Sequence, residues 1–255
     1  MCSQKIEKEH LSASQLRLIS NCGEAYRLRY IEGFKIPPGI AAVKGTVFHK
    51  LPEKNNRQKI ESKIDLSIED MKDVVSDQTE IAFSEEVYLT KDEQQKGIAH
   101  LRGETKDQLI ELVPKYHMAA ETVMPREVES RQRIELKDHP RDLVYIIDVE
   151  TIDDRIIDYK TSAKKKTQKE VDIDIGLTAY SMAFYVKHNK FPSFISFQNF
   201  VSYKTPKKGD IKTDYIELFT DRNAKDFVYL MNRIGETNQA LDKGVFLPCN
   251  PGPRS

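Results

Sequence analysis

The sequence predicts an α/β fold: a small mixed central sheet flanked by helices, with an additional helical region before it. Three observations carry that expectation. Residues 126–161 hold an alternating stretch and then short β-branched and aromatic runs, the pattern of strands. Residues 194–203 repeat it with alternating aromatics. Residues 11–30, 104–121, 173–188 and 227–241 instead space their apolar residues as helices do.

Taken in order, residues 1–10 are polar and loose. Leu11-Ser12-Ala13-Ser14-Gln15 opens a helix capped by Ser12 or Ser14. Leu16, Ile19, Tyr26 and Tyr30 fit two helical segments broken near Asn21-Cys22-Gly23. Pro37-Pro38-Gly39 is a linker. A helix then aligns Gly45, His49 and Glu53 on one face if it persists. Pro52 removes a donor and crowds the preceding turn, so a short or bent helix is expected there. Residues 54–105 read as polar helical segments and loops, with a helix start at Lys91–Gln95. Leu109, Leu112, Val113, Tyr116 and Met118 make 104–121 an amphipathic helix.

Arg126–Leu136 alternates as a strand, and His139-Pro140 turns the chain into Val144-Tyr145-Ile146-Ile147-Asp148. Asp153-Asp154 is a turn signal, and Ile156-Ile157 opens a second arm ending in Asp158-Tyr159-Lys160. The result is a hairpin with an aspartate on each arm. Strand alternation puts Asp158 and Lys160 on one face and Tyr159 on the other. Two carboxylates and one ammonium therefore converge. Paired carboxylates suit a hard divalent cation, and a neighbouring lysine can orient water or stabilise charge. A solvated surface salt bridge would share the bare D-x-K tripeptide; the apolar run before each acid and the hairpin spacing favour the site. After it come a largely buried helix over Ile173–His188, a strand over Phe194–Tyr203, a loop at 205–210 and a return strand over Ile211–Thr220. Asp221 or Asn223 caps the last helix.

The 255 residues fit a single domain over 1–255. It would divide into a mainly helical part at 11–120 carrying His49, a sheet core at 121–220, and a C-terminal helix and tail at 221–255. Charged residues are 31% of the chain and balance to zero, which argues against broad nonspecific coating of nucleic acid. Local basic patches remain at Lys164-Lys165-Lys166, with Lys169 nearby, and at Lys204 with Lys207-Lys208. The first follows the hairpin directly, where a phosphate contact is expected. Three cysteines, Cys2, Cys22 and Cys249, do not form a disulfide framework. The N-terminus is polar and no apolar run approaches the ~20 residues of a membrane span. A cytoplasmic, reducing setting is expected.

Residues 144–162, with Asp148, a short turn and Ile156-Ile157-Asp158-Tyr159-Lys160-Thr161-Ser162, resemble the RecB-like branch of the PD-(D/E)xK nuclease superfamily. The segment 11–33 resembles the N-terminal part of that branch and of CRISPR-associated exonuclease-like nucleases. Gly45…His49 matches G-x-x-x-H, Val128-Glu129 matches its first-strand motif, and Tyr180 matches the tyrosine of Q-x-x-x-Y. The resemblance implies a restriction-endonuclease-like core and a DNA nuclease dependent on Mg²⁺ or Mn²⁺, an exonuclease of recombination, repair or phage-type DNA processing. It implies that His49, Asp148, Asp158 and the main-chain carbonyl of Tyr159 bind metal. Lys160 would position the attacking water, and Glu129 and Tyr180 would support the site or the substrate. DNA is the implied partner, with a recombination or processing protein as a further one; oligomeric state stays open.

The chain departs from the family pattern at three places. Ile146 stands where members usually have glycine, and Gly176 stands where they have the motif glutamine. Cys22 matches the first ligand of the iron–sulfur members, but only Cys249 follows in the tail. Four thiolates are needed for such a cluster, so none is expected. These departures keep a second reading open: a non-catalytic DNA-binding or assembly subunit on the same fold.

Overall fold

A computed structural model describes residues 9–205 and 209–249. Cys2, Lys207 and Lys208, and the expected loose start over residues 1–8, lie outside them. Strand β1 (His10–Ser12) leads into helix α1 (Ala13–Asn21). Ser12 caps α1 reciprocally with Gln15: the Ser12 hydroxyl accepts from Gln15 N, and the Gln15 side chain accepts from Ser12 N. The sequence placed Leu11 in the helix. Instead Leu11 lies opposite Leu143 in a parallel pair, and three residues are too few to show alternation. Cys22 is extended and separates α1 from α2 (Gly23–Tyr26), which runs into a π-helical turn at Arg27–Ile31.

Helix α3 (Ile40–Ser62) continues through Pro52, so the expected break is absent. An interior proline costs about 3 kcal/mol. Val47, Phe48 and Leu51 are all buried just before it, at about 2 kcal/mol each, and that outweighs the cost. Helices α4 (Ile68–Ser84), α5 (Lys91–Lys96), α6 (Ile98–Ile110) and α7 (Val113–Ala120) follow. The single helix expected over 104–121 is two, because Pro114 sits in the first turn of α7, where its missing donor is tolerated.

Strands β2 (Pro125–Ile134), β3 (Asp142–Thr151), β4 (Arg155–Ser162), β5 (Phe194–Lys204) and β6 (Ile211–Thr220) complete a six-stranded mixed sheet. Its order is β1-β3-β4-β5-β6, with β2 antiparallel to β3. The short α8 (Gln168–Asp172) and α9 (Ile175–His188) join β4 to its parallel neighbour β5, and α10 (Ala224–Asp242) closes the chain behind an Asn223 cap. One core layer joins α1, α9 and α10 to the sheet through Leu16, Leu177, Phe184, Leu230 and Ile147. The other joins α3, α4 and α7 through Phe48, Met71, Tyr116, Tyr159 and Val149. Among the described residues, no helix is long and apolar enough to cross a membrane.

Two irregularities mark the centre of this sheet. β3 pairs with β4 only at Val149–Ile157 and Glu150–Ile156, and with β1 only at residues 142–144. Between them, the edge of β3 from Tyr145 to Asp148 has no strand partner among the described residues. Strict alternation would also put Ile147 and Val149 in one layer, yet they lie in opposite ones. The change of face falls at Asp148.

Candidate metal and active site

The floor of the site is aromatic. Phe48, next to His49, packs on Phe200 at 4.9 Å and edge-on to Tyr116 at 6.2 Å. Tyr159, between Asp158 and Lys160, packs on Tyr116 at 5.8 Å and on Phe200 at 6.4 Å. Its hydroxyl also accepts from Asn56 at 3.3 Å. One cluster thus fixes helix α3 and strand β4 together, and the chemistry-bearing residues are their sequence neighbours.

Above that floor, Asp148 reaches across the opening between β3 and β4. Its Oδ2 accepts from Tyr159 N at 2.8 Å and lies 3.5 Å from His49 Nδ1. Glu129 comes from β2 in a left-handed conformation, φ +49°, which a glutamate adopts only under constraint. Ligand atoms of His49, Glu129 and Asp148 all lie within 4.8 Å of one another. Lys160 Nζ donates to Asp158 Oδ1 at 2.7 Å and to the Tyr159 carbonyl at 3.1 Å. The alternation expected for β4 holds: Asp158 and Lys160 share a face, and Tyr159 faces the aromatic core.

The electrostatics record crowded negative charge. Burial, reinforced by Asp148 and Glu53, pushes the Glu129 carboxyl up to about 7. Burial and Asp148 push Asp158 up to about 6 despite the opposing ammonium of Lys160. Burial works against the Lys160 ammonium, but Asp158 and Asp148 outweigh it and hold its pKa above the ordinary lysine value. Burial lowers the pKa of His49 against the pull of Asp148, leaving its ring neutral and a lone pair free at pH 7. Tyr180, on α9, is held well above the usual phenol range by burial, Asp158 and Asp148, so it faces the same pair of acids as a neutral donor.

A divalent cation fits this donor set. Asp158 Oδ2 is buried with no hydrogen-bond partner among the described residues, an expensive state that a cation would relieve. Carboxylate oxygens, a main-chain carbonyl and one imidazole are hard to borderline ligands of the kind Mg²⁺ and Mn²⁺ accept.

Of the expected site residues, His49, Glu129 and Asp148 bring ligand atoms together, whereas Asp158 and the Tyr159 carbonyl, expected as ligands, lie outside that group and both accept from Lys160; Tyr180 faces Asp158 and Asp148 electrostatically. Glu53 is not in the ligand group; it pairs with Lys50 at 2.7 Å and Arg57 at 3.2 Å. Lys164, Lys165 and Lys166 form an exposed loop after β4, where Lys165 pairs with Asp214 at 2.6 Å and Lys166 with Glu170 at 2.8 Å. Gly176 lies in the first turn of α9. Cys249 N donates to Cys22 Sγ at 3.2 Å, so the tail returns to the start of α2. Sequence reasoning passed over Arg17. It is the only charged residue of α1, and its guanidinium lies against Asp174 and Gly176 beside the site.

The model of the PD-(D/E)XK nuclease superfamily matches residues 10–253. The chain belongs to the PD-(D/E)XK nuclease superfamily. Nucleases of this superfamily use divalent metal ions, in keeping with the carboxylate and imidazole donors above. A solved structure from Eubacterium rectale, named provisionally as an exonuclease, is similar over 97% of this chain and 87% of its own, with 12% identity and a TM-score of 0.50. A second, SSO0001, overlaps 89% of this chain and 86% of its own at 13% identity and a TM-score of 0.29. No curated protein matches the sequence.

Proposed function

We propose that the chain is a DNA exonuclease dependent on Mg²⁺ or Mn²⁺, acting in recombination, repair or phage-type DNA processing. The observation that carries the reading is the grouping of ligand atoms of His49, Glu129 and Asp148 within 4.8 Å, beside the β4 strand that carries the Lys160–Asp158 pair, whose second carboxylate oxygen is buried with no hydrogen-bond partner among the described residues. The exonuclease assignment follows the sequence resemblance and the name of the Eubacterium rectale protein.

His49, Asp148, Asp158 and the Tyr159 carbonyl would hold the metal, with Glu129 beside them. When bound, the ion supplies a water acidified toward hydroxide and neutralises charge on the phosphoryl group. The chain's own residues do the rest. Lys160 stays protonated, anchored by Asp158, and orients water at the attacking position. Neutral His49 offers a lone pair without adding positive charge. Tyr180 donates from α9 toward the side where the strand lies. The aromatic floor of Phe48, Tyr116 and Tyr159 excludes water from beneath and holds these groups in register.

The test is cleavage of end-labelled linear and circular DNA, single- and double-stranded, in Mg²⁺, Mn²⁺ or EDTA. Lys160→Ala and Asp158→Ala serve as controls. Metal-dependent loss of linear DNA that both variants abolish is expected, with circles resistant. Cleavage that survives either substitution sinks the proposal. DNA binding with no cleavage in any metal would favour a non-catalytic subunit on this fold.

A further inference from the structure

The unpaired edge of β3 between Tyr145 and Asp148 is covered by a cavity of about 330 Å³ rather than by a strand. We propose that this cavity is a phosphate subsite, which holds the backbone phosphate of the nucleotide next to the bond being cut. The proposal rests on the nuclease reading and names where the strand lies.

Two arginines line the cavity from opposite elements, Arg17 from α1 and Arg131 from β2. Arg17 is anchored on one side by Asp174, the N-cap of α9. A Cβ at position 176 would overlap that guanidinium, so Gly176 is what lets Arg17 lie over the start of α9. The glycine thus vacates space that an arginine from another helix fills. A guanidinium carries five donors, and one carboxylate partner leaves several of them free. Arg131 is exposed, and its side chain makes no ion pair or hydrogen bond among the described residues. It lies opposite Ile146 in the β2–β3 register, which sets both at the cavity.

The remaining lining matches a nucleotide. Ile146 is 44% exposed, an apolar surface beside the cations against which a sugar can rest. Tyr145 and Tyr180 add ring faces, and Ser14 adds a hydroxyl. The volume is at the small end of ligand sites, right for one nucleotide unit rather than a peptide. Paired guanidiniums favour phosphate because each can bind it through two parallel donors. Tyr180 belongs both to this cavity and to the field of Asp158 and Asp148, so the subsite lies beside the reacting acids. Arg17 likewise acts on Lys160. Ile146, where a glycine would leave backbone exposed, here gives the subsite its apolar wall.

The test is binding, not cleavage: fluorescence anisotropy of a labelled single-stranded oligonucleotide about a dozen nucleotides long, in EDTA, across a salt series. Arg131→Ala breaks no side-chain ion pair or hydrogen bond among the described residues, so little loss of stability is expected to confuse the result. It is expected to weaken binding about tenfold. It should also flatten the slope of log affinity against log salt by about 0.7, one phosphate contact on a single strand. Arg131→Lys should recover the slope but only part of the affinity, because the charge returns without the fork. Arg17→Ala, with folding checked by circular dichroism, should repeat the loss. Wild-type affinity and slope in both Arg131→Ala and Arg17→Ala would overturn the subsite while leaving the nuclease reading intact. Arg131-dependent binding by a protein that never cleaves would do the reverse. No DNA binding by the wild type would remove both.

Discussion

Two clusters built from the same residue types sit two positions apart on β3. Asp148 is surrounded by His49, Lys160 and Glu129; Glu150 is surrounded by His188, Lys187 and Glu127. Beside each lies a buried carboxylate oxygen with no hydrogen-bond partner among the described residues, Asp158 Oδ2 at the first and Glu150 Oε1 in the second. Orphan atoms alone therefore do not separate them. The position of the ammonium does. Lys187 Nζ bridges the second cluster's acids, 2.6 Å from Glu127 and 3.2 Å from Glu150, with His188 Nε2 at 3.0 Å. The cation already stands where a metal would. In the first cluster Lys160 is drawn aside to Asp158, and Asp148, Glu129 and His49 face one another. Burial with like charge raises Glu129 and Asp158, whereas Lys187 holds Glu127 below the usual range against its burial. A filled ion network and a site for an ion differ by the placement of one lysine.

The sharpest way to break that comparison is to remove the charge of each central acid. Asp148→Asn should lower metal-dependent cleavage about 10²–10³-fold, the scale of losing one electrostatic stabiliser. Glu150→Gln should leave the cleavage rate near wild type. A Glu150→Gln loss as deep as that of Asp148→Asn would erase the distinction. Stability should invert the order. Glu150 is only 1% exposed, and breaking its pairs should cost about 3 kcal/mol in urea unfolding without metal. Asp148→Asn removes repulsion from Glu129 and Asp158 and should cost less than that.

Metal sharpens the contrast further. An ion that binds only the folded state stabilises by mass action, about 2.7 kcal/mol at a hundredfold excess over its dissociation constant. The thermal midpoint of the wild type and of Glu150→Gln should rise with Mn²⁺. The midpoint of His49→Ala or Asp148→Asn should rise much less. Equal shifts in all four proteins would place the ion elsewhere.

Much of the first cluster was legible in the sequence because its parts are local. Asp148 and Asp158 end apolar runs, and Lys160 follows by strand alternation. Asp154, at φ +64°, closes the turn that Asp153-Asp154 signalled. His49 was placed by its motif rather than by its helix, whose course through Pro52 depends on tertiary packing that no local rule contains. Arg17 and the second cluster were not legible. Arg17 meets Gly176 across 159 positions, and Glu150 meets His188 across 38, so neither pairing leaves a spacing to read. β1 was hidden for the same reason: its three residues are a strand only because β3 offers an edge.

The subtlest difference between the clusters is in their protons. Burial and neighbouring acids push the Glu129 and Asp158 carboxyls up to about 7 and about 6 in the folded protein, above their unfolded values. An acid raised by folding contributes stability that is complete below its unfolded pKa and is lost as pH climbs through the folded one. Without metal, these two groups should make the protein lose stability between about pH 4 and 7. Depressed carboxyls such as Glu170, held at about 2 by Lys166 and Thr167, act the other way, but their gain is complete by about pH 5. A bound cation needs the ionised forms, so binding at pH 6 should release protons and binding at pH 8 should release almost none. Calorimetric titration with Mn²⁺ in two buffers of different ionisation enthalpy measures that release directly. About one proton at pH 6 that disappears at pH 8 is expected for the wild type, and a smaller release for Glu129→Gln. Release that is the same at both pH values would mean that these carboxyls are already ionised before the metal arrives, and that the crowded charge of the first cluster is not what prepares it for an ion.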